Sequence, residues 1–197
     1  MLAELTNELS TFITKSKLVI YPWLIGIAGL WIINILNWMF KSKLNILGIY
    51  PRHTFGLLGI IFSPILHQNF NHLFFNTIPL FPLGLVILAR GEELFFQVTI
   101  IVVALGGLGV WLAARPSLHI GASGLVSGYF GFILATAYFD PSFTSLLLAI
   151  IVLYYFGSIF LGIFPQEDKI SWESHFFGFF SGIASPFIID KFNLSFV

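Results

Sequence analysis

Six stretches of almost unbroken apolar residues dominate the chain: Leu18–Met39, Phe70–Ala89, Leu94–Ala113, Gly121–Phe139, Phe143–Ile163 and Trp172–Ile189. Each runs close to the ~20 residues a helix needs to cross the hydrocarbon of a bilayer. The interruptions carry charge or proline, as span ends should: Lys41 and Lys43, Arg90 to Glu93, Arg115-Pro116, Asp140-Pro141, and Pro165 to Lys169. Lipid offers no partner for free backbone groups, so helices are the expected spanning element. The pattern predicts an all-α membrane protein, a bundle of six transmembrane helices over residues 18–190. Two apolar pieces do not fit a span. Leu2, Leu5, Leu9, Phe12 and Ile13 recur near helical spacing, which predicts a short interfacial segment over residues 1–17. Gly56–Leu66, inside the long connection Lys41–Asn69, is too short to cross and is expected to lie in or dip into the interface. Residues 191–197 read as a C-terminal tail.

Composition sharpens this. The chain is 57% hydrophobic and only 9% charged, against about 25% charged residues in an ordinary soluble domain. The lipid bilayer is therefore its solvent. Net charge is zero and no basic cluster occurs, which argues against nucleic acid as a partner. With no cysteine there is no disulfide, thiolate metal site or cysteine nucleophile. No small-residue cleavage site follows the first apolar stretch, so no cleaved signal peptide is expected. Basic residues fall on both sides of a six-span topology, Lys15, Lys17, Arg90 and Lys191 against Lys41, Lys43, Arg52, Arg115 and Lys169, so charge bias does not set the orientation.

The polar residues within this apolar background are not scattered. His67, His72 and Asn76 introduce the second stretch, Ser123 the fourth and His175 the sixth. Those three stretches run in one direction, so all five residues share one side of the membrane at shallow depth. Gly124 and Gly128 form a small-xxx-small pair, as do Gly178 and Gly182, and such pairs let helix backbones approach closely in lipid. A close crossing there would bring Ser123 near His175. A serine hydroxyl needs a base to become a nucleophile, and His175 is the candidate. The oxyanion formed on attack needs donors, which the Asn76 amide, the His72 ring and the Ser123 N–H can supply. Glu173 and Asp140 are badly placed for a third acid, so a Ser–His dyad is expected rather than a triad.

Plainer readings apply elsewhere. His53 and His119 read as solvated or hydrogen-bonded edge residues, Glu173 as solvated, and Ser127, Ser158 and Ser181 as packing or back-bonded hydroxyls. The His-Glu-x-x-His pattern of zinc proteases is absent and no two aspartates lie mid-span. A metal site on His67, His72 and His175 lacks an acidic or thiolate partner.

Three motifs resemble one family in order and spacing. His67 to Asn76 reads His-x4-His-x3-Asn, Gly121-Ala122-Ser123-Gly124 reads Gly-x-Ser-Gly, and His175 to Gly182 reads His-x2-Gly-x3-Gly. Together they resemble the rhomboid intramembrane serine proteases over nearly the whole chain. The resemblance implies a cofactor-free endopeptidase with Ser123 as nucleophile, His175 as general base, and His72 and Asn76 in the oxyanion hole. It implies supporting roles for His67, Gly121, Gly124, Gly178 and Gly182. It also implies a partly embedded loop at Lys41–Asn69, and a gate and cap formed by the fifth stretch and Phe164–Ile170. The implied partners are single-span transmembrane protein substrates. The implied location is a prokaryotic plasma membrane with the site toward the extracytoplasmic side. Some members carry an aromatic residue four positions after the serine, packed on the histidine; Ser127 stands there, so here the histidine must be oriented otherwise. The family's first-loop Trp-Arg pair is not evident. Two alternatives remain: a catalytically inactive rhomboid-like protein that binds membrane clients, and a small transporter, which would need polar residues through the full membrane depth.

Overall fold

The computed structural model describes residues 2–165, 171–192 and 194, and within them it is helical throughout, with one isolated antiparallel bridge between Ile49 and His119. Among the described residues, six helical rods make the bundle. The first, α1 (Leu2–Met39), runs unbroken past Pro22, so the amphipathic N-terminal turns continue the first span instead of forming a separate helix. Among its described residues only Leu30, Asn34 and Asn37 of α1 are buried, spaced to lie on one face; Val19, Trp23, Ile27, Trp31 and Trp38 pack half-buried on the core, and the opposite face is exposed. Then come α2 (Phe70–Arg90), with Pro79 and Pro82 inside it, and α3 (Glu92–Ala113), whose Val102–Gly106 stretch is π-helical. The central helix is α4 (Ser123–Phe139), buried along most of its length from Val126 to Ala137. The bundle closes with α5 (Phe143–Phe156) and α6 (Trp172–Phe192). By length and composition α1, α2 and α3 suffice alone to cross a membrane; α4 and α5 are shorter apolar rods.

The fifth apolar stretch does not form one helix to Ile163. It stops at Phe156, turns at Gly157 and resumes as one turn, Ser158–Leu161. Gly157 N–H bonds the Leu153 carbonyl, and a Cβ on Gly157 would collide with that same oxygen, so the tight turn there needs glycine. At its other end α5 is well capped. Ser142 and Ser145 form a reciprocal capping box. Glu8 of α1 reaches across to accept from both the N–H and the hydroxyl of Thr144, each at 3.2 Å.

Between α1 and α2 the chain stays at one end of the bundle in short helical turns, including Lys43–Leu47, Thr54–Leu57 and Gly59–Phe62. Phe55, Leu57, Leu58, Ile61 and Phe62 are exposed along it, as expected of a segment resting in apolar surroundings. Arg52 ties this connection to the end of α3 by donating to the carbonyls of Leu112 (3.2 Å) and Ala114 (2.8 Å). The main core lies between α2, α3 and α4, around Leu73, Leu83, Val98, Tyr129 and Phe130. There the one large polar side chain, Tyr129, shares its hydroxyl with Thr99 at 2.7 Å.

The crossing of α4 and α6 decides where the polar residues go. A methyl group added at Gly178 would strike the carbonyl oxygen of Gly124, and one at Gly182 would strike that of Gly128. Both small-xxx-small pairs therefore meet face to face, backbone against backbone.

Candidate active site

The start of α2 is built from side-chain hydrogen bonds. Asn69 caps the helix by accepting from the His72 N–H at 2.9 Å. Asn76, one turn on, gives one amide hydrogen to the His72 carbonyl at 2.9 Å and keeps the other for the cavity it lines. His72 Nδ1 faces the Gln68 N–H at 3.5 Å, which favours the proton on Nε2. His67 is fully buried. Its backbone N–H bonds Asn34 Oδ1 of α1 at 2.8 Å, and its ring Nε2 accepts from the Ala122 N–H at 3.2 Å. Burial, helped by the neighbouring His72 ring, pushes the His67 pKa down to about 3, so this ring is a neutral acceptor under the turn that leads to Ser123.

That turn brings the chain into α4. Gly121 has φ of 119°, a conformation L side chains rarely adopt. A Cβ there would also sit 2.6 Å from His72 Nε2 and 3.7 Å from Asn76 Nδ2. Gly121 therefore lets the backbone just before Ser123 run directly under the two donors. Ser123 opens α4, so its N–H is among those without an intrahelical acceptor. Gly124 gives α6 the same access: a Cβ on it would meet the Ser174 carbonyl oxygen at 3.1 Å. His175 follows Ser174, and its Nδ1 is buried without a hydrogen-bond partner among the described residues. Gly162, between α5 and α6, presses on that edge of the ring; a Cβ there would lie 2.5 Å from Nδ1.

Ser123, His175, His72 and Asn76 line one open cavity of about 550 Å³. Among the described residues no group of three or more His, Cys, Asp or Glu could hold a metal ion. The cavity offers a hydroxyl, an imidazole and amide and ring donors around one space, which is the equipment of acyl transfer.

Residues 54–192 match the Rhomboid domain family. The chain belongs to the rhomboid family. An uncharacterized protein of Mycobacterium tuberculosis is 35% identical over 183 residues, covering 85% of this chain and 76% of the relative. An uncharacterized protein of Mycobacterium leprae is 32% identical over 183 residues, covering 85% of this chain and 72% of the relative. With its apolar helices, this rhomboid is an integral membrane protein.

Two residues of this rhomboid sit differently from the sequence reading. Glu173 is buried, not solvated: its Oε1 lies 3.0 Å from Arg115 Nε and accepts from the Arg115 N–H at 3.3 Å. His119 is hydrogen-bonded, one of the two readings given for it, but it does not lie at an exposed edge. It is buried on the cavity wall, with Nδ1 2.6 Å from Ser171 Oγ and Nε2 3.1 Å from both Ser117 Oγ and the Arg115 carbonyl. A signal for both was present, since Arg115, His119, Ser171 and Glu173 fall within eight residues of Ser123 or His175. Burial holds the His119 pKa below the usual imidazole range, against the pull of the Arg115 carbonyl and Glu173. Ser127, where some rhomboids carry an aromatic, is fully buried and its hydroxyl is not back-bonded. Ser181 does bond back, to the Phe177 carbonyl at 2.7 Å, and His53 is exposed, both as expected. Lys169 and most of the expected cap, Phe164–Ile170, lie outside the described residues.

Proposed function

We propose that this rhomboid is an intramembrane serine endopeptidase acting on single-span membrane proteins through a Ser123–His175 dyad. The observation that carries the reading is the shared cavity, with Ser123, His175, His72 and Asn76 on its wall. The family supplies the prior for proteolysis; the arrangement of donors supplies the chemistry.

In the proposed reaction His175 takes the proton of Ser123 Oγ as that oxygen adds to the scissile carbonyl. Negative charge collects on the carbonyl oxygen, where the Ser123 N–H, the free Asn76 amide hydrogen and the His72 Nε2–H stabilise it. The imidazolium then protonates the leaving amine, and the peptide remains as an ester on Ser123. Water, deprotonated by His175, cleaves that ester and restores the serine. No acid assists His175, so the close contact with Gly162 and the surrounding helices hold the ring instead. All six rods traverse the bilayer in this reading, with the cavity opening toward the extracytoplasmic side. No cofactor takes part.

A fluorescent fluorophosphonate probe on detergent-purified protein tests the proposal. Labelling of wild type, abolished by Ser123→Ala and by His175→Ala, is the expected result. Asn76→Ala should lower the labelling rate about 10²–10³-fold, the usual cost of one oxyanion donor. Folded wild type that resists this probe and a second serine-directed chemistry would overturn the assignment in favour of client binding without catalysis.

A further inference from the structure

We propose that His119 is a positioning residue for Ser123 and His175, acting through the helix-capping hydroxyl of Ser171; this rests on the dyad reading above. The arrangement has a simple register. His119 stands four residues before Ser123, and Ser171 stands four residues before His175. The two are joined by a hydrogen bond of 2.6 Å, so the segments leading into both reacting side chains are stitched together just short of them.

Each end of the stitch is anchored. His119 exchanges both backbone hydrogen bonds with Ile49, at 2.9 Å each way, which fixes it to the connection between α1 and α2. Ser171 immediately precedes α6 and caps it. Its carbonyl accepts from the Ser174 N–H at 3.1 Å, and its hydroxyl lies 2.7 Å from Ser174 Oγ and 3.4 Å from Ser174 N. Ser174 is the residue that packs on Gly124 and directly precedes His175.

The hydrogens can be assigned around the network. The Arg115 carbonyl can only accept, so the proton of His119 sits on Nε2 and is shared with Ser117 Oγ. Nδ1 is then an acceptor and takes the Ser171 hydroxyl proton. Ser171 Oγ in turn accepts from Ser174. The Arg115–Glu173 ion pair joins the same two segments beside this chain, at 3.0 Å. A neutral imidazole thus links cap, helix start and nucleophile turn, touching neither reacting atom.

Positioning makes a different prediction from packing. In fluorophosphonate labelling, His119→Phe should lower the maximal rate of modification roughly tenfold with the half-saturating probe concentration unchanged, because misplacement of reacting groups affects the step and not the binding. Ser171→Ala should do the same, and the double variant should lose no more than either alone. His119→Asn, which keeps an acceptor for Ser171, should recover most of the rate. A second readout needs no catalysis. The chain has no cysteine, so Ser123→Cys/His175→Cys can be bridged with dibromobimane, which fluoresces when it joins two neighbouring thiols. Adding His119→Phe should reduce bridging at least severalfold, and His119→Asn should not. If wild type is labelled and His119→Phe matches it in rate and bridging, positioning by His119 is wrong and the protease reading stands. If folded wild type resists both serine-directed chemistries yet bridging falls as expected, the stitch is real and the protease reading is wrong.

Discussion

The α4–α6 pair and helices α1 and α5 solve the problem of standing in lipid in opposite ways. Where α4 meets α6, Gly178 and Gly182 bring one backbone onto the carbonyl oxygens of Gly124 and Gly128, with no room for a methyl group. On α1, a Cβ at Gly29 would meet nothing within 4 Å. Only Ser145, Ala149 and Val152 of α5 are buried, and its aromatic residues Tyr154 and Tyr155 face outward. Hydrophobic burial cannot drive helices together in lipid, so close backbone contact has to do it. The bundle places that contact beneath Ser123 and His175, where register matters. It leaves α1 and α5 at the periphery, with few of their side chains buried.

The contrast can be broken. Gly182→Ala should destabilise the bundle by about 3 kcal/mol, the upper end of overpacking costs, because the clash is with backbone that cannot step aside. Thermal unfolding in detergent measures it, and an unchanged midpoint would mean the crossing yields. Acid should come next. His67 and His119 are kept neutral by burial, so the unfolded chain binds protons first as pH falls below about 6.5. Their contribution is complete above that pH and declines below it. For His67, with its pKa near 3, the loss reaches about 2 kcal/mol by pH 5. Denaturation across pH 5–7 should show this slope, and His67→Gln should flatten it. On the loose side, Glu8→Ala should cost about 1 kcal/mol as a lost cap. It should appear as faster hydrogen exchange in the first turn of α5 before any global change. The smallest effect belongs to Gly29→Ala, expected to stabilise by at most about 1 kcal/mol through helix propensity alone. A loss comparable to that of Gly182→Ala would erase the distinction between the two regions.

Much of the site was legible because lipid makes polar residues conspicuous. His67, His72, Asn76, Ser123 and His175 stood out against their apolar runs, and the paired glycines announced the crossing that gathers the last two. What stayed hidden depended on neighbours from distant segments. Glu173 looked like a solvated residue at a helix start until Arg115, 58 positions away, was seen to cover it. His119 was marked only by standing four residues before Ser123, and that position says nothing of burial. The end of α5 was invisible for another reason. The apolar run continues through Gly157 to Ile163, and hydropathy does not register the turn that glycine permits there. Likewise α4 begins at Ser123, two residues later than its apolar run, because Gly121 needs a backbone conformation no helix has.

Gly162 acts as a spacer between two helices. It follows the single turn that continues from α5, and a Cβ on it would lie 2.5 Å from Nδ1 of His175. Any larger residue would force either the imidazole or the chain after α5 to give way. One missing side chain thus sets the clearance between the end of α5 and the first turn of α6.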